Sequence, residues 1–417
     1  MRLTPPLLKH QIVRPFKRAW AAKYPYKVAD NKGLPKALVL KGIEIKDPYN
    51  NERTSEKLEP VAVPATVVPT KGPEEDLPGY NTKPVMEFTD TTRFIEGIRQ
   101  AQHLTKSIVY NGMPEGVSSL MDRVEHSNQN KLLKRIILQS QKWDPAKDKL
   151  PRRIDKSCIK WNFQREYGIP RSRSIHILNT NLVRLANIIV NGHCPAAITD
   201  RQLHVKPAFD SHYTFMGEEI VLKGTPNFLL TGSYPLPPFS DESTVSSTTE
   251  EILPNMFPIL PTIDFKSTHF YNLTNSVGFL SNTDRHPHTF VTSSCDFWKD
   301  DFRQARSVMF CLAYTIAEAR LRFGEDVQTL PEPICIQSVS VGETGINFVF
   351  FQLNTLDFSS ESGVKNQAWL DTGNNLYTKI MSQPWNGSDF TKHRYTDFIE
   401  TPFSKLLAAM QYGLPPS

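Results

Sequence analysis

The sequence predicts an α+β fold: an antiparallel sheet with packed helices, preceded by an extended N-terminal segment. Three observations predict it. From Lys299 to Phe323, apolar residues (Phe302, Ala305, Met309, Leu312, Ile316, Ala319, Phe323) recur in steps of three and four, the period of a helix. From Ile334 to Asp357, two apolar runs flank Gly342-Glu343-Thr344-Gly345, the pattern of a hairpin. Between residues 28 and 84, eight prolines (Pro35, Pro48, Pro60, Pro64, Pro69, Pro73, Pro78, Pro84) remove backbone donors and exclude a long helix. Helices kept apart from antiparallel strands make the α+β pattern.

Taken in order, residues 1–27 hold Arg2, Lys9, Arg14, Lys17, Arg18, Lys23 and Lys27 and no acid. Leu8, Ile12, Phe16 and Trp20 recur every four residues. A basic, acid-free, amphipathic start is the composition of a mitochondrial transit segment. Residues 28–84 read as an extended proline-rich arm. A helix is expected over 90–109, where Phe94, Ile98, Ala101 and Ile108 share a face and Gly112-Met113-Pro114 ends the run. Lys131 to Trp143 is a short basic helix. Residues 145–173 read mainly as basic loop, and Ser174 to Val190 as a helix stopped by Gly192. Thus 85–200 is a mainly helical region with a basic segment.

The remainder, 201–417, reads as an α+β domain with the sheet and the long helix. Short alternating runs between glycines and prolines over 203–233 predict antiparallel strands. Residues 240–251 are a polar loop, and a strand is expected from Thr262 to Tyr271. Asp300 and Asp301 near the start of the long helix, and Arg320 and Arg322 near its end, complement the helix dipole. Thr401-Pro402 opens a last helix running to Tyr412.

Charge narrows the partners. The chain has 417 residues and a net charge of +5, but the charge is unevenly spread. Residues 1–27 carry +7. Residues 131–173 carry thirteen bases against Asp144, Asp148, Asp155 and Glu166, or +9, so the rest is acidic. A uniformly basic coat for nucleic acid is excluded. No run approaches the ~18 apolar residues of a membrane span. Five scattered cysteines predict free thiols and an intracellular site.

Motifs for catalysis are missing. There is no phosphate-cradling glycine loop, dinucleotide fingerprint or nucleophile elbow. His286, His288 and Cys295 can be written as a three-ligand cluster for a metal-dependent hydrolase. They lack the paired short spacings of a zinc site, so no metal, cofactor or small-molecule substrate is expected. The better lead is Arg152, Arg153, Lys156, Lys160, Arg165, Arg171 and Arg173, interleaved with Trp161, Phe163 and Tyr167. Arginine forks suit phosphate, and aromatic faces stack on unpaired bases. Arg152, Arg153, Lys156, Lys160, Trp161, Arg165, Arg171 and Arg173 are therefore the candidate RNA-binding residues.

Three blocks carry a resemblance: Pro333–Val339 (PICIQSV), Phe348–Asp357 (FVFFQLNTLD) and Gly363–Asp371 (GVKNQAWLD). Glu96–Ala101, Leu104–Lys106, Pro258–Asp264, His286–Thr289 and Ala317–Gly324 support it in the same order. With these blocks the chain resembles the family of large-subunit protein thirty-seven of the mitochondrial ribosome. The resemblance implies a non-catalytic structural protein of the mitochondrial matrix, in contact with rRNA and other large-subunit proteins. Among those it implies a related protein named S-thirty, or programmed cell death protein nine. It also implies that the Asn366–Asp371 segment serves as fold and partner surface. A free mitochondrial RNA-binding translation factor is the alternative function, and the metal-dependent hydrolase a more distant one.

Overall fold

A computed structural model describes residues 40–42, 74–121, 123–124, 126–142, 147–150, 165, 167–279, 284–380 and 394–414. The chain divides into two units, 1–71 and 72–417. In the first, residues 40–42 are described and exposed. The transit segment and most of the proline-rich arm lie outside the described residues.

In the second unit, the strands in chain order are β1 (Tyr80–Phe88), β2 (Ser107–Asn111), β3 (Gln202–Val205), β4 (Phe209–Phe215), β5 (Glu218–Gly224), β6 (Phe228–Gly232), β7 (Lys266–Phe270), β8 (His286–Ser293), β9 (Thr329–Val341), β10 (Gly345–Thr355) and β11 (Asn366–Asn375). The main helices are α1 (Ile98–Thr105), α2 (Gln129–Lys142), α3 (Arg171–His193), α4 (Asp300–Phe323) and α5 (Thr401–Gln411). Strands β4-β5-β1-β7 make a four-stranded sheet, and β2-β11-β10-β9-β8-β6-β3 a seven-stranded one.

Antiparallel pairing dominates, but three pairs are parallel: β1 with β5, β8 with β9, and β11 with β2. The β8–β9 pair follows from chain order. Helix α4 lies between the two strands, and a crossover of that kind returns the chain in the same direction.

Helix α4 sits between the sheets, touching β4 and β5 on one side and β9 and β10 on the other. Every residue from Ser307 to Ala319 is buried. On the far face of the seven-stranded sheet pack α2, α3 and α5. Strand β10 alternates accordingly. Val349, Phe351 and Leu353 face the α4 layer, and Ile346, Phe348 and Phe350 face the three helices. A strand covered on both faces reads as a continuous apolar run.

Several expected elements shift. The 90–109 helix is shorter: α1 ends at Thr105, Lys106 turns left-handed at φ 46°, and Ile108 falls in β2. Lys106 is buried and its ammonium donates to the Asp357 carbonyl at 3.0 Å, a tertiary contact no local pattern reports. At the other end, Ile98 N–H donates to Asp301 Oδ1 at 3.4 Å, so α4 caps α1. The approach requires Gly97, at φ 58°, where a Cβ would lie 1.9 Å from the Asp301 carboxylate. Strand β1 runs through Pro84. Its register with β7 shifts between Tyr80 and Val85, where proline cannot donate. The polar 240–251 stretch forms a short helix, Glu242–Ser247, and a 3-10 turn, Thr248–Glu250. Helix α3 continues past Gly192 to His193.

Candidate nucleic-acid interface

The three helices on the far face carry an unusual charge pattern. Helix α2 buries Leu133, Ile136, Ile137 and Ser140 and exposes Lys131, Lys134, Arg135 and Lys142. Helix α3 follows Pro170 and buries Leu178, Leu182, Leu185 and Ile189, spaced by three and four as expected. Its other face exposes Arg173, His176, Arg184 and His193. With Arg171 on α3 and Lys405 on α5, the three helices hold eight lysines and arginines and no carboxylate. Lys134 lies over the Phe398 ring at 5.0 Å and Lys142 over Tyr395 at 5.4 Å.

The cations differ in how they are held. Arg171 is built into the protein. It donates to Glu343 Oε2 at 3.3 Å and to the carbonyls of Cys295 and Asp296 at 3.0 and 3.2 Å, and it stacks over Phe297. Glu343 also pairs with Lys379. Burial alone would raise the Glu343 carboxyl pKa, but Lys379 and Arg171 hold it below its ordinary value. Arg303 pairs with Asp300, and Arg306 with Asp296. Of these groups, Asp300, Arg303 and Glu343 line a polar cleft of about 300 Å³ together with Ser294, Lys299, Thr344 and Asn374. The expected hairpin turn forms one wall. Gly345 is required there, because a Cβ would lie 2.4 Å from the Asn374 carbonyl.

Of the predicted RNA-binding residues, Arg152, Arg153, Lys156, Lys160 and Trp161 lie outside the described residues. Arg165 is exposed and donates to the Leu150 carbonyl at 3.0 Å, beside a short ladder joining 148–149 to 167–168. Tyr167 is exposed, Arg173 is exposed, and Arg171 is half-buried in the pairing above. The candidate residues named from the sequence fall within 152–173; they omit Arg184 and the exposed cations of α2, although the latter lie in the 131–173 charge block. Their signal was available: no acid interrupts either helix.

The metal candidates do not converge. His286 pairs with Glu318 of α4 at 2.5 Å. His288 donates to the Tyr234 carbonyl at 2.6 Å. Burial, with Arg201 adding, pushes His288 down to about 3. The β8–β6 register shifts between Pro287 and Thr289, so the two histidines lose the common face that regular alternation would give them. Cys295 stands near Arg171, its thiol pushed up by burial. Among the described residues, no three His, Cys, Asp or Glu side chains form a group that could hold a metal. The four described cysteines are free thiols. No described helix is long and apolar enough to cross a membrane.

The blocks that carry the resemblance are internal. Asn366 accepts from the N–H groups of Asn354 and Thr355 at 2.7 and 3.0 Å and donates to the Thr105 carbonyl at 2.9 Å. Gln352 accepts from Phe239 N–H at 2.7 Å, and buried Lys365 donates to the Thr248 carbonyl at 2.9 Å. Asn366, Gln367 and Ala368 are buried inside a sheet, so the Asn366–Asp371 segment holds the fold and offers little partner surface.

Fold and face together define a layered α+β protein whose outer three-helix layer carries cations and no carboxylate. Comparison with known proteins supplies the rest. The chain is 29% identical over 353 residues to large ribosomal subunit protein mL37 of Rattus norvegicus, covering 82% of this chain and 78% of that protein. It is 28% identical over 318 residues to mL37 of Gallus gallus (74% and 69%) and 27% over 345 residues to mL37 of Bos taurus (78% and 77%). No protein-family model matches the chain. The chain is thus similar to the mL37 proteins over about three quarters of its length, in keeping with the resemblance carried by the blocks quoted above.

Proposed function

We propose that the chain is a structural constituent of the large subunit of the mitochondrial ribosome, working through contacts and not through catalysis. The names of the relatives support the assembly. The acid-free helical layer carries the rest of the reading. Cations on α2 and α3 approach rRNA phosphates, and the connection between these helices supplies Arg152, Arg153, Lys156, Lys160, Trp161 and Arg165. Each phosphate neutralised releases condensed counterions, so this binding weakens as salt rises. Arg171 and Arg173 stand where the connection enters α3. Arg171 holds that entrance to the hairpin turn through Glu343.

In this reading the protein works in the mitochondrial matrix, and its partners are rRNA and neighbouring large-subunit proteins, the S-thirty relative among them. Sucrose-gradient sedimentation of mitochondrial lysate tests the proposal. The protein should travel with the large subunit at one copy and stay after a high-salt wash. Finding it only at the top of the gradient would overturn the reading.

A further inference from the structure

Residues 233–265 connect β6 to β7; Leu236 and Phe239 pack with the far-face helices, and 254–261 lie over α1. They include Asp241, Glu242, Glu250, Glu251 and Asp264 and no lysine or arginine; the first cation after them is Lys266. Their apolar residues divide into two sets. Leu253, Met256 and Phe265 are buried anchors. Ile252 and Phe257 are each 90% exposed and Leu260 70%, with Ile263 and Ile95 also exposed. Single exposed apolar residues are ordinary on a protein surface, but a cluster is not.

Hydrogen bonds bring these side chains together. His103 pairs with the Pro254 carbonyl, and Gln100 donates to the Pro261 carbonyl at 2.7 Å. Gln100 and His103 are three residues apart on α1, about 4.5 Å along its axis. Residues 255–260 therefore leave and rejoin the helix within one turn, and Phe257 and Leu260 crown one compact protrusion. Asp264 Oδ2 accepts from Ile95 N–H at 2.8 Å and from Gln100 at 3.1 Å, which ties the Ile95 backbone to the end of the loop. Turns within the loop hold it further: Phe257 N–H donates to Asn255 Oδ1 at 2.9 Å, and Ile259 N–H to the Met256 carbonyl at 2.8 Å. Pro254, Pro258 and Pro261 restrict the backbone, so little conformational entropy is left to lose on docking. Glu361, bonded to His103 at 2.9 Å, adds a carboxylate at the same turn of α1.

We propose that this protrusion docks a cationic segment of another protein. That segment packs apolar side chains on Phe257 and Leu260 and sets lysines or arginines against the surrounding carboxylates. Charge decides the class of partner. An acidic, cation-free loop repels phosphate, so nucleic acid is the wrong occupant, and a basic protein segment is the complementary one. The inference rests on the chain's own surface and does not require the ribosomal reading.

Binding of two labelled 14-residue amphipathic peptides to the full-length chain tests it, one of leucine and lysine, the other of leucine and glutamate. The leucine–lysine peptide should bind. F257D/L260D should weaken it more than about tenfold, the size of a central anchor. E250K/E251K should weaken it about threefold to tenfold, the size expected for two solvent-exposed charge pairs. I188A, on the other face of the sheet, should leave it unchanged. The substituted loop side chains are exposed, and circular dichroism checks that each variant keeps its fold. Failure of the leucine–lysine peptide to bind, equal binding of the leucine–glutamate peptide, or full binding by F257D/L260D would each overturn the inference. Sedimentation reads the ribosomal proposal separately.

Discussion

Helix α3 has 23 residues and helix α4 has 24, yet α3 buries one face while α4 is buried on all sides from Ser307 to Ala319. Both show the same spacing of apolar residues. The layers they occupy differ. A helix between two sheets has no solvent face, so its polar residues need internal partners. Thr315 donates to the Cys311 carbonyl at 3.0 Å, and Glu318 pairs with His286. A helix on the outside keeps an exposed face, and on α3 that face carries Arg173, His176 and Arg184. One helix serves the core, and the other serves the core and offers a charged surface.

Truncation should separate the two helices most strongly. Phe310→Ala in α4 should cost about 3–5 kcal/mol, because the forfeited transfer energy adds to a cavity that cannot collapse between two sheets. Ile188→Ala on the outer face of α3 should stay within about 0.5 kcal/mol. Chemical denaturation measures both, and similar losses at the two sites would break the contrast.

Acid should reach the interior next. His288 is neutral in the fold because burial pushes its pKa down to about 3, against 6.5 for the unfolded chain. Its contribution is therefore intact above pH 6.5 and declines as pH falls from 6.5 toward 3, by about 1.4 kcal/mol per unit. His288→Gln keeps a donor for the Tyr234 carbonyl and should flatten that part of the stability profile. An unchanged slope would show that His288 is not the titrating group.

A smaller effect is expected where the outer layer meets the sheet. Glu343→Gln weakens the hold on Arg171 and Lys379 and should cost about 1 kcal/mol, since these side chains are partly solvated. Smallest in stability is the triple change K131E/R135E/R184E. It should alter folding by less than about 0.5 kcal/mol per site. Its effect belongs to RNA binding. The log–log salt slope should shrink by about 0.7 to 0.9 for each phosphate left without its cation. An unchanged slope would remove the helical layer from the proposed interface.

Local chemistry made much of the fold legible. The α4 pattern, the Gly342–Gly345 turn and the Thr401-Pro402 start each depend on neighbours within a few residues. Strands β8 and β11 were not legible as strands. In β8, His286-Pro287-His288 carries no strand signal of its own, because the bulge and the partners Glu318 and Tyr234 appear only in three dimensions. In β11, Asn366 and Gln367 are too polar to suggest a central strand, and their burial depends on distant partners such as Thr105 and Ser240. The proposed interface was half legible. The charge block was visible, but the role of Arg171 depended on Glu343, 172 residues away.

Periodicity, turn chemistry, the separation of charge along the chain and the blocks similar to mL37 are all readable from residue order. These are short-range properties or direct readings of residue identity. The tertiary structure alone decided which apolar helix lies between two sheets and which lies outside. It also decided which cations carboxylates hold, and that an acid-rich loop carries its apolar residues outward over α1. The decisive contacts among them join residues more than 100 positions apart, such as Arg171 with Glu343 and Gln100 with Pro261. Burial and long-range pairing set their energies, and no local window of sequence contains both partners.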